Sequence, residues 1–129
     1  MDDRDLRELL ENTKTIAVVG LSPKENRPSH QVARYLQAHG YRIIPVRPGA
    51  DELLGERAYP SVSDIPDELQ IDVVDVFRRP EAVQKQAKAL WLQEGIVNEE
   101  AARKAREGGL RVVMDRCMLK EHRRLLAPR

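Results

Sequence analysis

The stretch Thr15–Val46, "TIAVVGLSPKENRPSHQVARYLQAHGYRIIPV", decides the fold. Thr15 to Val19 is a β-branched run broken only by Ala17, with no polar alternation, the pattern of a strand covered on both faces and hence of a parallel sheet. The chain then reaches Gly20, crosses a polar loop and enters a helix whose apolar stripe is Val32, Ala33 and Leu36. Ser29, just after Arg27-Pro28, is the expected N-cap, and Gly40 stands where a helix C-terminus needs positive φ. A second strand, Tyr41 to Val46, stops at Arg47-Pro48-Gly49, because prolines remove ladder donors and Gly49 permits a turn.

Outward from this unit the pattern repeats. Upstream, Asp3 or Asp5 is placed to cap a short helix with Leu6, Leu9 and Leu10 on one face, ending near Thr13. Downstream, residues 50–66 read as a loop with short pieces of structure. Ile71 to Phe77 is the third strand, Pro80 to Ala87 a short helix and Ala89 to Gln93 the fourth strand. Asn98 caps a helix with acids first and bases later, and Leu110 to Met114 is the fifth strand, followed by a basic tail. The order predicts one doubly wound α/β domain over residues 1–129, with a parallel sheet of about five strands and helices on both faces.

Composition narrows the function. A chain of 129 residues makes one ordinary domain, and a net charge of +1 gives no basic field for nucleic acid or an anionic membrane. The apolar runs fall far short of the roughly 20 residues a membrane span needs, and the acidic, helical start is unlike a signal peptide, so a cytoplasmic protein is expected. Cys117 is the single cysteine, and His30, His39 and His122 have no ligand-like spacing, so no metal site is expected.

In doubly wound sheets ligands bind beyond the carboxyl ends of the strands, where strand order reverses. The first loop carries Gly20 and Ser22 but lacks the G-x-G-x-x-G dinucleotide fingerprint. A helix starting near Ser29 still offers unpaired N–H groups and a positive dipole end, and Arg27 adds a guanidinium suited to phosphate. The alternative is that Ser29 only caps the helix and Arg27 is solvated. At the end of the second strand, where NAD-binding domains carry an acid for the ribose hydroxyls, stands Arg47. A cation there suits a phosphorylated ribose, either the 2′-phosphate of NADP or the 3′-phosphate of coenzyme A. After the third strand, Phe77 with Arg78 and Arg79 can cover a purine and approach phosphates, unless Phe77 is core. Gln93 can read polar ligand groups, Gly95 lets backbone approach closely, and Trp91 reads as core. Arg116 could favour a thiolate at Cys117, which otherwise reads as a small buried hydrophobe.

Four quoted pieces, "GLS" with "RPS", "VDVFR", "LWLQEG" and "MDRC", lie in one order along nearly the whole chain. In this combination the sequence resembles the small stand-alone coenzyme A-binding proteins, a Rossmann-like family similar to the N-terminal domain of the succinyl-coenzyme A synthetase α subunit. The resemblance implies coenzyme A with its diphosphate near Gly20, Ser22, Arg27 and Ser29 and its adenosine end near Val46, Arg47 and Pro48. It implies further contacts from Phe77, Arg78, Arg79, Val83, Gln93 and Gly95. The synthetases work through a phosphorylated histidine, and none of the three histidines here lies in a comparable motif. The resemblance therefore implies a carrier or sensor of coenzyme A or acyl-coenzyme A without turnover. The alternatives are an NADP-binding oxidoreductase-like protein or a redox-regulatory one, in which Cys117 forms a mixed disulfide with the pantetheine thiol. A homodimer, or a protein partner on the basic tail, stays open. Residues 78–88 make a crossover near the lower limit for a βαβ unit, shorter than the family pattern.

Overall fold

Strand β1 forms where its sequence demands burial on both faces: Ile16, Ala17 and Val18 are wholly inaccessible to solvent. In the computed structural model, which describes residues 2–78 and 87–126, the chain runs α1 (Asp3–Asn12), β1 (Thr15–Val19), α2 (Pro28–Ala38) and β2 (Arg42–Val46). A hairpin of β3 (Glu52–Leu53) and β4 (Glu56–Arg57) and a single 3-10 turn (Val62–Asp64) lead to β5 (Ile71–Val76) and β6 (Ala87–Leu92). Then follow α3 (Glu99–Glu107), β7 (Arg111–Val113) and α4 (Met118–Leu125). The main sheet is parallel throughout, in the order β2-β1-β5-β6-β7. Its pairing register sets Ala17 beside Ile44 and Val74, and Val18 beside Pro45 and Asp75.

The sheet separates two apolar cores. On one face Leu6, Leu9 and Leu10 of α1, Val32, Ala33 and Leu36 of α2 and Met118 of α4 pack over Ile16, Val18, Val73 and Trp91. Each buried Leu, Val, Ile or Met among them contributes about 1.5–3 kcal/mol of transfer free energy. On the other face Ile44, Val46, Val74, Val76, Leu90 and Leu92 are covered by Ile65 and, in part, by Leu69, Ala105 and Leu110. The doubly wound α/β architecture expected from the strand-and-helix alternation is the one observed. No helix among the described residues is long and apolar enough to cross a membrane.

Local details differ from expectation for identifiable reasons. Asp2, not Asp3 or Asp5, caps α1, its Oδ1 accepting from Asp5 N at 2.9 Å. Arg27 is the N-cap of α2 and Pro28 its first residue, because proline's fixed φ and missing N–H suit that position. Ser29 therefore lies inside the helix. Strand β6 starts at Ala87, which pairs with Ile71, so Ala87 belongs to the sheet and not to a helix. The rest of the expected helix, residues 80–86, lies outside the described residues. The basic tail is in fact helix α4, whose buried positions Met118 and His122 and half-buried Leu125 recur along one face. A histidine at the middle position hides that stripe. The Tyr35 hydroxyl lies 2.9 Å from His122 Nδ1, and the Arg124 guanidinium forks onto the two carboxylate oxygens of Asp3 at 2.8 and 2.9 Å, tying α4 to α2 and α1.

At the amino ends of the strands Asp72 pins the sheet. Its Oδ2 accepts from Lys14 N at 2.9 Å and Thr15 N at 3.0 Å, and its Oδ1 lies 3.2 Å from Lys88 Nζ. Burial acts to raise this carboxyl's pKa, but the two backbone bonds and Lys88 outweigh it and hold the group below the ordinary carboxylate range. A depressed folded pKa contributes stability above the unfolded value and loses it as pH falls through the folded one. Asp72→Ala is expected to lose about 2–4 kcal/mol at neutral pH, since two amides lose an ionised acceptor. In urea unfolding the gap between variant and wild type narrows as the pH is lowered through the carboxyl's titration. A gap independent of pH contradicts this role.

Candidate functional site

Strand order reverses beside β1: β2 lies on one side and β5 on the other, so the connections leave this pair in opposite directions and open a crevice at their carboxyl ends. Hydrogen bonds knit the strand tips there into one rim. Gly20 N donates to Val46 O at 2.9 Å, Phe77 N to Val19 O at 3.0 Å, and Gln93 N to Val76 O at 3.1 Å. Tips and loops from β1, β2, β5 and β6 thus stand side by side.

Gly20 is favoured at its position by its backbone conformation, and it leaves room for the Arg78 stem. Its φ is +86°, and a Cβ there would lie 3.0 Å from Arg78 Cδ and 3.1 Å from Arg78 Cγ. The Arg78 stem therefore crosses the tip of β1 where any other residue would stand. Beyond Gly20, Leu21 turns into the core and Ser22 faces the start of α2, its N–H donating to Ser29 Oγ at 2.9 Å. His30 Nδ1 lies 2.9 Å from Ser22 O. So Ser29 and His30, both buried, fasten the loop to the helix, which is the job the serine does in place of capping. Arg27 has no oxygen with which to cap α2, and Pro28 has no N–H, so the first-turn amides of Ser29 and His30 start the helix without a side-chain cap. Arg27 itself is exposed.

At the tip of β2 the Val46 side chain belongs to the second core, and Arg47 N donates to Tyr59 O at 2.8 Å. Arg47 is half-buried and Pro48 exposed. Tyr59, not anticipated, also bridges Val46 and lies under the Arg57 guanidinium, 5.4 Å from ring centroid to Cζ. Phe77 is half-buried against the first core, while Arg78 is exposed. Arg79 and Val83 lie outside the described residues. Among the described residues Arg27, Arg47 and Arg78 form no ion pair. By contrast, charges around the groove at the amino ends are matched, Lys88 with Asp72 at 3.2 Å and Arg111 with Glu8 at 3.6 Å.

On β6, Trp91 is wholly buried, as expected of core, and donates from Nε1 to Arg116 O at 2.9 Å. Gln93 is buried as well, and its Nε2 donates to Asp75 Oδ1 at 2.6 Å. Asp75 lies within a largely apolar run, which gives no sequence signal for a site residue. Its side chain is fully buried, and among the described residues its Oδ2 is the one buried side-chain oxygen without a hydrogen-bond partner. Burial pushes the carboxyl up to about 8, opposed by the Gln93 bond. Gly95, at φ +87°, donates its N–H to Asp115 Oδ1 at 2.7 Å, and Asp115 itself holds a left-handed φ of 58°. Cys117 is half-buried at the N-cap of α4, packed against the first core, and Arg116 Nη1 lies 3.5 Å from Glu121 Oε1. No group of three His, Cys, Asp or Glu side chains suited to a metal ion occurs among the described residues.

The raised Asp75 value fixes a pH dependence. Because the folded carboxyl holds its proton up to about 8, stability from this group is present below its unfolded pKa of 3.8 and is lost as pH rises through the folded one. Asp75→Asn is expected to raise Tm over wild type by a margin that grows with pH until it levels off above about 8. Thermal melts across that range check this, and a constant margin contradicts it.

Comparison with known proteins fits this geometry. The family model described as "CoA binding domain" matches residues 14–123. The chain is 42% identical over 126 residues to the uncharacterized protein YneT of Bacillus subtilis, covering 92% of each chain. A solved hypothetical protein from Pyrococcus horikoshii OT3 superposes with a TM-score of 0.91 at 47% identity, over 98% of this chain and 94% of that one. The chain is also 35% identical, over 94 residues, to the ADP-forming acetate–CoA ligase II of Archaeoglobus fulgidus; the match takes 71% of this chain but 13% of the ligase. With the family model matched over residues 14–123 on a parallel sheet of this strand order, the chain belongs to the coenzyme A-binding domain family, shared with a region of the ADP-forming acetate–CoA ligases.

Proposed function

We propose that this chain binds coenzyme A, or an acyl form of it, at the carboxyl ends of β1, β2, β5 and β6, and acts as a carrier or sensor without turning it over. The observation that carries this reading is the placing of three arginines, unpaired with acids among the described residues, at the carboxyl ends of the strands: Arg27 at the uncapped start of α2, Arg47 directly after β2, and Arg78 two residues after β5 with its stem against Gly20. A helix N-terminus and guanidinium groups together suit the diphosphate and the ribose phosphate of the coenzyme. In this reading Gly20, Ser22, Arg27 and Ser29 hold the diphosphate. Arg47, with Val46 and Pro48, holds the phosphorylated adenosine end. Phe77, Arg78, Arg79, Val83, Gln93 and Gly95 complete the walls.

Arg47 separates coenzyme A from plain adenine dinucleotides, because an acid at that strand end would repel a phosphorylated ribose. NADP shares a ribose phosphate and is the competing ligand. It fits less well, because the loop after β1 has one glycine where the dinucleotide fingerprint has three. The reading includes no reaction step of its own: Ser29 Oγ and His30 Nδ1 fasten the loop to the helix.

Isothermal titration calorimetry tests it. Coenzyme A is expected to bind at least about tenfold more tightly than 3′-dephospho-coenzyme A, the loss of one charge-assisted phosphate contact. Arg47→Ala is expected to weaken coenzyme A and leave the dephospho form nearly unchanged. Equal affinity of the wild type for the two ligands, or a preference for NADPH, overturns the assignment.

A further inference from the structure

Asp75 sits one residue before the end of β5, opposite Val18 of β1 and Trp91 of β6. Both neighbours are apolar, the carboxyl is fully buried, Oδ1 meets Gln93, and Oδ2 has no hydrogen-bond partner among the described residues. A buried polar atom left without a partner is costly, and an apolar residue of similar size would serve the core better. The acid must therefore answer another need. The elements packed on this face carry few titratable groups that are not fully exposed: Asp5 on α1, His30 and Tyr35 on α2, Tyr41 before β2, and Cys117, Glu121 and His122 at α4. Arg116 before α4 is half-buried and Arg78 beyond β5 is exposed. None of them moves the carboxyl, whose shift comes from burial, opposed by the Gln93 bond.

A carboxyl and a primary amide can meet in two ways. An ionised carboxylate only accepts, so it takes Nε2 and leaves Oε1 on the far side. A neutral acid can donate its O–H to Oε1, which leaves Nε2 on the far side. With Nε2 toward Asp75, the 2.6 Å separation is short of the usual N–H···O range. It lies within the range of O–H···O bonds, about 2.5–3.0 Å, so the neutral acid fits better with the amide turned over, Oε1 accepting from Asp75 and Nε2 on the far side. Gln93 stands at the carboxyl end of β6, on the rim of the crevice.

We propose that Asp75 is a positioning residue of the ligand site: acting through Gln93, it sets which end of that amide faces the crevice and makes Gln93 a donor to an oxygen of the bound coenzyme. This rests on the coenzyme reading above. The coenzyme offers phosphate and amide carbonyl oxygens as acceptors. When Asp75 ionises, the amide turns over, Oε1 meets the same ligand oxygen and attraction becomes repulsion. Affinity then depends on a proton that never touches the ligand.

The test is calorimetry of the full chain with coenzyme A from roughly pH 6 to roughly pH 9, for wild type, Asp75→Asn, Gln93→Leu and the double variant. Ionisation of the coenzyme itself is common to all four, so the ratio of wild-type to Asp75→Asn Kd isolates Asp75. That ratio is expected to rise about tenfold through the carboxyl's titration, as one hydrogen bond is lost, and to stay flat in the Gln93→Leu background. Parallel pH profiles for wild type and Asp75→Asn, or the same rise without Gln93, overturn the proposal. NMR of the ligand-free protein separates it from the coenzyme reading: the Gln93 side-chain amide resonances should move with the Asp75 titration and not in Asp75→Asn. If they move while no coenzyme binds at any pH, the coenzyme reading has failed and the coupling stands. If they do not move, Asp75 does not set the amide.

Discussion

Strand β1 pairs in parallel with β2 through five residues and with β5 through four, and the functional end of the molecule follows from that double pairing. It requires a strand buried on both faces, which Ile16, Ala17 and Val18 supply at no cost in unsatisfied side-chain polarity. It also places the tips of β1, β2 and β5 level with one another, so that Gly20 N donates to Val46 O and Phe77 N to Val19 O. Slipping the register by one residue would turn Val18 and Asp75 to the opposite core and dismantle both the packing and the rim. Asp72, bonded to the amides that open β1, holds that register at the other end.

On this frame the crevice gains its chemistry from what glycine permits and what arginine leaves unpaired. Gly20 makes room for the Arg78 stem, and the loop behind it is fixed by Ser29 and His30, whose side chains bond Ser22. A loop fixed by buried side chains can present amides and a helix start without needing three glycines. The acid expected of an NAD site is absent and Arg47 takes its place, anchored through its backbone to Tyr59.

Much of this was legible from residue order. The apolar runs at Thr15 to Val19, Tyr41 to Val46 and Ile71 to Phe77 announced buried parallel strands, and Gly20, Arg47 and Arg78 followed them directly, with Arg27 at the start of the first helix after the sheet begins. Asn98 read correctly as the cap of α3, its Oδ1 accepting from Ala101 N at 2.9 Å. The failures have physical causes. Ser29 looked like a cap because serine favours that position, but Pro28 fits the first helical turn better and moved the helix start. Helix α4 was hidden because its buried stripe contains His122, which earns its place by meeting Tyr35 rather than by hydrophobicity. Asp75 was invisible because two acids three residues apart, Asp72 and Asp75, give no period-two signal in an otherwise apolar run. Only the register, which sets it between Val18 and Trp91, shows that it is buried.

The most direct measurement is an amide chemical-shift map of the protein titrated with coenzyme A. The account predicts saturable shifts grouped at residues 20–30, 46–49, 77–78 and 93–95, which are far apart in sequence and adjacent only at the carboxyl ends of the parallel strands. Shifts centred instead on Ser63, Asp72, Lys88 and Arg111, around the groove at the amino ends, would contradict it, as would the absence of any saturable change.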